Sequence, residues 1–304
     1  MRILIFLIIL IQIINIINCN DVEYFSIRKD LRKCAAPNCG GYFFKRINSG
    51  PNEKEMHVTA LSLINANLKP NKMDDEKNVI VSGDITLTNK EQGFYSFFLK
   101  GIHQRMVIPP SDGSVNKGSG VLTASNKGGT LAVESYGFLS DSDVRCIRAE
   151  GCPVYELSKI NRNESINFAT FTEPYTTSVP LLDSDWFNSR LINTNSAYIG
   201  SIVLGSISKG ELTISTIFVN TEDPASPCQQ TTTNCTGGKI QTFTRSLNRC
   251  PVFDKCVNRG VCHLGVPHCP VGYTSYSLKS APNGCLKYYC DPDSLPNPSR
   301  VLGP

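Results

Sequence analysis

The chain has 304 residues, with 30 lysines and arginines against 26 aspartates and glutamates and a formal net charge of +4. The small charge excess and the lack of a long basic run argue against a nucleic-acid-binding protein. The length leaves room for two or three domains. The thirteen cysteines indicate an exported protein.

The first 19 residues have the layout of a secretory signal peptide. Arg2 precedes an apolar run from Ile3 to Ile17, and a polar stretch begins at Asn18. The run is shorter than the roughly 20 residues that a membrane span needs, and the C-terminus lacks the apolar tail of a GPI signal. We therefore expect residues 1–19 to be removed and the protein to be secreted and extracellular, without a membrane span. Lipidation of Cys19 and an uncleaved anchor helix are the alternatives.

Strand patterns dominate the rest of the chain. Short alternating or β-branched runs are separated by turn-rich stretches, as in antiparallel β proteins. The best helix candidate is Asp183–Ile192, with Trp186, Phe187 and Leu191 on it. The sequence therefore predicts a mainly β fold. Its strands are expected at residues 22–28, 41–47, 56–64, 79–88, 93–99, 131–138, 154–160, 166–172, 198–206 and 211–219.

An internal repeat runs through these strands. Two stretches share residue types, order and spacing over several segments, including a cysteine pair followed by a tyrosine and an Ile-Asn dipeptide. This pattern predicts a duplication that gives two related antiparallel β units, at residues 20–112 and 113–249, arranged as a β-sandwich or side by side. The second unit includes a loop rich in Thr, Pro and Cys. The matching segments are 30–48 with 143–161 and 81–85 with 203–207.

Residues 250–304 are predicted to form a small cysteine-rich module and a tail, because so short a stretch needs disulfides in place of a large core. Without Cys19 the chain has twelve cysteines, an even number that predicts disulfide bonds in an exported protein. We expect Cys228–Cys235 to pin the loop before the module. Close pairs within each repeat compete with bridges between the repeats. The candidate disulfide residues are Cys34, Cys39, Cys146, Cys152, Cys228, Cys235, Cys250, Cys256, Cys262, Cys269, Cys285 and Cys290.

No catalytic, cofactor-binding or metal-binding residue can be assigned from a motif. The four histidines stand outside any hydrolase or metalloprotease signature, and no phosphate-binding glycine loop is present. The symmetrical cluster Cys262-His263 and His268-Cys269 has zinc ligands as one interpretation, and disulfide pairing is the favoured one. Asn163 and Asn234 lie in sequons and are the expected glycosylation sites.

The motif Cys34-Ala35-Ala36-Pro37-Asn38-Cys39-Gly40-Gly41 resembles the opening motif of an uncharacterised exported-protein family, the domain of unknown function 6748. Residues 146–152 resemble the second cysteine motif of that family. Residues 269–273 and 290–292 are similar to a cysteine segment that is often attached to it. The resemblance implies export but no activity and no catalytic residues.

The leading hypothesis is a secreted, non-catalytic, disulfide-stabilised β protein that binds an extracellular protein or glycan, without a cofactor. One alternative is a protease-inhibitor-like module in which Lys279 and Lys287 are exposed basic side chains held between disulfides. An extracellular hydrolase with a site between the repeats and a structural matrix or coat component are the others.

Overall fold

The computed structural model describes residues 22–64, 66, 68–110, 133–147, 151–192, 200–223, 228–229, 233–263 and 265–298. The predicted signal peptide and most of the stretch between the repeats lie outside the described residues. The fold is mainly β, as predicted. None of the helices in the described part of the chain has the length and apolar character needed to cross a membrane.

The first repeat is a small closed barrel. Successive pairings join β1 to β2, β2 to β3, β3 to β5, β5 to β4 and β4 back to β1. Only the β3–β5 pairing is parallel, and it closes the sheet so that the barrel has no free edge between these strands. The strands are β1 (Glu23–Lys29), β2 (Tyr42–Arg46), β3 (Met56–Leu63), β4 (Val79–Asn89) and β5 (Phe94–Arg105).

Alternation along the strands fills the interior of this barrel. In β1, Phe25 and Ile27 point inward and are buried, whereas Arg28 is exposed on the outside. Phe25, Phe44 and Phe97 form an aromatic cluster with ring centroids 4.6–5.7 Å apart. Two 3₁₀ turns between β3 and β4 add the buried Met73 to the core. These turns are Pro70–Asp74 and Glu76–Asn78.

The second repeat has the same strand order. It contains β6 (Ser135–Asp141), β7 (Tyr155–Lys159), β8 (Ser165–Phe168), β9 (Thr170–Thr172), β10 (Ile202–Ser208) and β11 (Glu211–Asn220). β8 and β9 together take the place of β3, because β8 pairs with β7 and β9 runs parallel to β11. The duplication predicted from the sequence is therefore present in the fold.

Two short α-helices lie between β9 and β10, where the first barrel has two 3₁₀ turns. They are α1 (Tyr175–Ser178) and α2 (Ser184–Leu191). The sequence predicted α2, and Asp183 is its N-cap, since the carboxylate of Asp183 accepts a hydrogen bond from the backbone N–H of Trp186. Trp186, Phe187 and Leu191 of α2 are buried in the core of the second barrel.

The two barrels are joined side by side into one continuous sheet. β5 of the first barrel pairs antiparallel with β11 of the second. Ile47, Ile80, Ile160, Ile202 and Phe218 fill the seam between the barrels. The expectation of a β-sandwich is therefore wrong: each unit closes on itself through the parallel pairing, so two barrels meet edge to edge instead of two open sheets face to face.

Two asparagines clamp this seam symmetrically. The Asn48 amide donates to the carbonyls of Tyr136 and Ile160, at 2.7 and 2.9 Å, and its oxygen accepts from the N–H of Tyr136 at 2.9 Å. Asn161 makes the mirrored set with Tyr24 and Ile47. Both asparagines have φ of 57°, the left-handed region that asparagine tolerates better than most residues.

The C-terminal region consists of two β-hairpins, and disulfides join each hairpin to the loop that precedes it. They are β12 (Ile240–Arg245) with β13 (Pro251–Val257), and β14 (Tyr273–Ser280) with β15 (Cys285–Pro292). The expected pairing Cys228–Cys235 is wrong. The structure forms Cys228–Cys250 and Cys235–Cys256 instead, because the β12–β13 hairpin brings its second strand beside the preceding loop. The remaining bonds are Cys262–Cys285, Cys269–Cys290, and the two close pairs Cys34–Cys39 and Cys146–Cys152.

A buried network of three arginines and three aspartates fixes these hairpins to the second barrel. The carboxylate of Asp223 accepts from the indole N–H of Trp186 at 2.6 Å and from Nε of Arg190 at 2.8 Å. Arg249 donates to the carbonyl of Asp223 and pairs with Asp291 at 3.2 Å. Arg245 completes the network by bridging the carboxylates of Asp183 and Asp291. Equal numbers of opposite charges keep the buried cluster neutral.

Candidate ligand-binding surface

A row of four side chains crosses the outside of the first barrel. The strand register places Arg28 of β1 opposite Phe43 of β2, Phe43 opposite His57 of β3, and His57 opposite Phe94 of β5. These four residues all project outward, because neighbours in the same strands, such as Phe44, fill the barrel, and His57 is covered by its neighbours in the row so that it is only 8% exposed. We call this set the cation–aromatic row.

The members of the row are stacked against one another. The guanidinium carbon of Arg28 lies 4.0 Å from the centroid of the Phe43 ring. The His57 ring stacks on Phe43 at 4.7 Å and 19°, and Phe94 meets His57 edge-on at 5.4 Å and 84°. Each side chain restricts its neighbour, so the row is preorganised and loses little conformational freedom when a partner binds.

Asp30 and His57 connect the cation–aromatic row to the loop between β1 and β2. Its carboxylate accepts from Nε of Arg32 at 2.9 Å and from the N–H of Gly40 at 3.1 Å. The Arg32 guanidinium holds the pKa of Asp30 well below its ordinary range. Nε2 of His57 lies 2.8 Å from the carbonyl of Gly40 and 3.3 Å from Asp30. His57 therefore helps to hold the loop against the barrel.

The Cys34–Cys39 disulfide closes this loop, and residues 31–38 are exposed. Leu31 is 80% exposed, an unusual state for a leucine. Gly41 ends the loop with φ of 75°, and a Cβ there would lie 2.1 Å from the carbonyl oxygen of Val58. Only glycine fits at that position, because the loop returns directly onto β3. The Cys-Gly-Gly motif thus has a structural explanation.

The surface is rich in charged hydrogen-bonding groups. Arg28 forms a bidentate pair with Glu55, with the Arg28 side chain 50% exposed. Arg32 is also exposed, and its guanidinium lies 5.2 Å from the Phe43 centroid. Each guanidinium uses one edge on a carboxylate, which leaves further N–H donors directed at solvent. The surface can therefore offer donors, acceptors and aromatic edges to a partner.

The second barrel lacks this row. Its matching register places Ser140 opposite Glu156 and Glu156 opposite Asn167, so the positions equivalent to Arg28, Phe43 and His57 hold neither a cation nor an aromatic ring. Ser142 replaces Asp30 at the base of the second loop, where its hydroxyl accepts from the N–H of Val144. The same fold forms with polar side chains here, so the row of the first barrel is not a requirement of the barrel.

The other residues singled out in the sequence lie outside the cation–aromatic row. Cys262 and Cys269 are both in disulfides, so neither is a thiolate ligand beside His263 and His268. Within the described residues, no group of three or more His, Cys, Asp or Glu side chains is placed to hold a metal ion. The sequon asparagine Asn163 is exposed in the turn between β7 and β8.

The surroundings of three further residues from the sequence analysis are also defined. The second sequon asparagine, Asn234, is exposed next to Cys235. Lys279 and Lys287 lie within the paired strands β14 and β15, opposite Leu286 and Leu278.

His103 lies at the seam between the barrels and is buried. Its Nδ1 has no hydrogen-bond partner among the described residues, and burial lowers the pKa of His103 from 6.5 to about 4. Around it, Tyr24 approaches with a ring separation of 5.9 Å. The space between the repeats is therefore packed with hydrophobic side chains and a neutral histidine.

Sequence reasoning missed the cation–aromatic row. All four residues lie in strands that the sequence predicts, at 22–28, 41–47, 56–64 and 93–99, but no motif marks Arg28, Phe43 or Phe94. Alternation predicts that each of these side chains faces outward from its own strand. Their alignment depends on the cross-strand register, which a single sequence does not specify.

Comparison with known proteins supports the resemblance found in the sequence. The family model described as "Domain of unknown function (DUF6748)" matches residues 23–104, which correspond to the first barrel. An uncharacterised protein of Dictyostelium discoideum is 30% identical over 275 residues, which cover 89% of this chain and 87% of the relative. No solved structure matches the chain. The chain therefore belongs to the same family as this Dictyostelium protein, and its first barrel matches the domain of unknown function 6748.

Proposed function

We propose that this is a secreted, non-catalytic protein that binds an extracellular protein partner through the cation–aromatic row and the adjacent Cys34–Cys39 loop. The observation that carries the proposal is the row itself, which the first barrel has and the second barrel lacks. The second barrel folds without an arginine or a phenylalanine at the positions of Arg28 and Phe43, which favours a role of these two side chains in recognition, whereas His57 also holds the Cys34–Cys39 loop.

The composition of the surface favours a protein partner over a glycan. Arginine and aromatic residues are enriched at protein interfaces, and rigid groups of this kind dominate binding energy. Phe43 has its two neighbours Arg28 and His57 stacked against it, so its ring presents an edge and not an open face on which a sugar would stack. The exposed Leu31 adds an apolar contact next to the charged groups.

Export is supported by the covalent structure. Six disulfide bonds join twelve cysteines, a density that is typical of oxidising compartments. Asn163 and Asn234 are both exposed, as glycan acceptors must be. Mass spectrometry of protein from the culture medium of its host tests this part. We expect a chain without residues 1–19, with glycan at one or both asparagines. Free cysteines, or retention of the chain inside the cell, would contradict it.

The protease-inhibitor alternative has less support. An inhibitor of the substrate-like type needs an extended loop whose backbone is free to pair with the protease. Lys279 and Lys287 lie in strands that already pair with each other, and the Lys287 ammonium lies 5.1 Å from the Tyr289 ring. The backbone around both lysines is therefore occupied.

Binding is tested by capture of partners from the host's culture medium on immobilised wild-type protein and three variants. Arg28→Ala and Leu31→Ser each remove an exposed side chain of the proposed surface. Ile147→Ser is the matched control, because Ile147 is fully exposed on the disulfide loop of the second barrel. Urea unfolding curves of all variants show whether each one is folded.

We expect a partner that is retained by wild type and Ile147→Ser and is reduced at least tenfold with Arg28→Ala. That loss corresponds to about 1.4 kcal/mol, as expected for a charge-assisted contact at an interface. Equal retention by all four proteins would refute the proposed surface. A captured ligand that survives protease treatment and is destroyed by glycosidases would show that the partner is a glycan.

A further inference from the structure

A cleft of about 480 Å³ lies where the first barrel meets the C-terminal hairpins. One wall is formed by the end of β5 and the residues that follow it. The other wall is formed by the 3₁₀ turn before β4, by Gly272 just before β14 and by residues 292–294 at the end of β15. Its size is within the range of small-molecule sites, which are common where structural units meet. The residues that carry the argument are Asp75, Arg105, Val107, Ile108 and Asp293.

Arg105 is unusual among the arginines that the structure describes. It is partly buried and lines the cleft, yet its guanidinium makes no hydrogen bond or ion pair with any described residue. The other described arginines that are buried or partly buried all have a carboxylate partner. They are Arg46, Arg190, Arg245 and Arg249. An unpaired cation in a partly desolvated cleft loses hydration without compensation, and an anion bound there would supply it.

The two carboxylates of the cleft have partners of their own. Both oxygens of Asp75 accept from the amide of Asn78, at 3.0 and 3.1 Å. Asp293 accepts from the hydroxyl of Thr274. These donors are neutral, so both aspartates keep their charge and weaken the binding of an anion at Arg105, although neither forms an ion pair with it.

The rest of the wall is apolar on one side. Val107 and Ile108 line the cleft beside Arg105 and are exposed or partly exposed, whereas Met106 and Pro292 are buried. A cation next to an aliphatic wall matches a ligand with an acidic head and a short hydrocarbon chain. An inorganic anion would use only the first of these features.

We propose that this cleft binds a small organic acid, whose carboxylate pairs with Arg105 and whose short aliphatic chain lies against Val107 and Ile108. This site is separate from the cation–aromatic row, and it does not depend on the proposed protein partner.

Isothermal titration of the full chain with acetate, hexanoate and inorganic phosphate tests the proposal. We expect hexanoate to bind at least tenfold more tightly than acetate, because only hexanoate reaches the aliphatic wall. Phosphate should bind no better than acetate. Equal affinities for acetate and hexanoate, or no binding of hexanoate at millimolar concentration, would overturn the assignment.

Variants test the role of charge. Arg105→Gln should weaken hexanoate binding at least tenfold, whereas Arg105→Lys should retain part of it. Asp293→Asn should tighten binding several-fold, because it removes a negative charge from the cleft and keeps an acceptor for Thr274. Arg162→Gln is the control, since Arg162 is exposed and is not among the residues that line the cleft. Unchanged affinity in folded Arg105→Gln, or weaker binding in Asp293→Asn, would refute the site.

Discussion

The asparagine clamp makes a quantitative prediction about how the two barrels are held together. Asn48→Ala removes three hydrogen bonds that cross the seam, at 2.7, 2.9 and 2.9 Å. It also places alanine at φ of 57°, where its Cβ is unfavourable. The hydrogen-bonded groups of the opposite barrel belong to the partly buried backbone of Tyr136 and Ile160. The Tyr136 carbonyl keeps its hydrogen bond from the N–H of Ile160, whereas the Tyr136 N–H and the Ile160 carbonyl lose the Asn48 side chain.

The magnitude follows from these two terms. Three hydrogen bonds at about 1 kcal/mol each give about 3 kcal/mol, and the left-handed conformation adds about 1 kcal/mol for alanine. We therefore expect Asn48→Ala to lower the free energy of unfolding by about 4 kcal/mol. Asn48→Gly tolerates the backbone conformation and should cost about 3 kcal/mol. Asn161→Ala should cost less than Asn48→Ala, because two of its three hydrogen bonds are exposed.

Urea unfolding is the assay, with two probes. The single tryptophan, Trp186, reports on the second barrel, and far-ultraviolet circular dichroism reports on both. Asn52→Ala is the control, because Asn52 is exposed in the same loop as Asn48. If the seam couples the barrels, both probes should shift together. A change within about 0.5 kcal/mol for Asn48→Ala, the range of ordinary surface substitutions, would refute the clamp.

Three further predictions concern the buried groups and the disulfides. The pKa of His103 is lowered from 6.5 to about 4 in the folded state, so the unfolded chain takes up a proton first as the pH falls and stability declines between pH 6.5 and 4. The loss of stability is about 3 kcal/mol. Urea titrations at pH 7 and 4.5 should show a smaller decline in the stability of His103→Gln than in that of the wild type, and an identical decline in both proteins would contradict the assignment. Asp223→Asn leaves the buried Arg190 without its counter-ion and should cost about 3 kcal/mol in the same assay, whereas unchanged stability would show that the network is not coupled to folding. Peptide mapping without reduction should recover Cys228–Cys250 and Cys235–Cys256 as linked peptides, and a Cys228–Cys235 peptide would instead show that the hairpin is placed incorrectly.

Local patterns predicted most of the elements and the duplication. The strands and α2 follow from short-range periodicity, which a single sequence displays directly. The duplication follows from repeated residue types around Cys34–Cys39 and Cys146–Cys152, and the structure forms these close pairs within each barrel. Bridges between the repeats, which the sequence left open, do not form.

Long-range pairing is what the sequence could not supply. Closing the first barrel requires β3 to pair in parallel with β5, and no local signal marks this contact. The same limit explains the wrong disulfide. Cys228 is nearer in sequence to Cys235 than to Cys250, but the β12–β13 hairpin determines which cysteine is nearer in space. The alignment of the cation–aromatic row depends on register in the same way.

Comparison of the two barrels separates what the fold requires from what it does not. Asn48 and Asn161 make matching contacts, and Gly83 and Gly205 both lie where a Cβ would collide with a carbonyl oxygen of the neighbouring strand. Such positions agree because the same backbone imposes the same constraint twice.

The cation–aromatic row shows the opposite behaviour. Phe43 faces the outside of the first barrel, and its counterpart in the second barrel is Glu156, although the strands around both residues pair in the same way. Since the backbone tolerates either side chain, folding does not account for Phe43 or for the arginine that stacks on it, whereas His57 also holds the loop through the Gly40 carbonyl. Within a duplicated protein, the differences between the copies therefore mark the surface on which a search for a partner should begin.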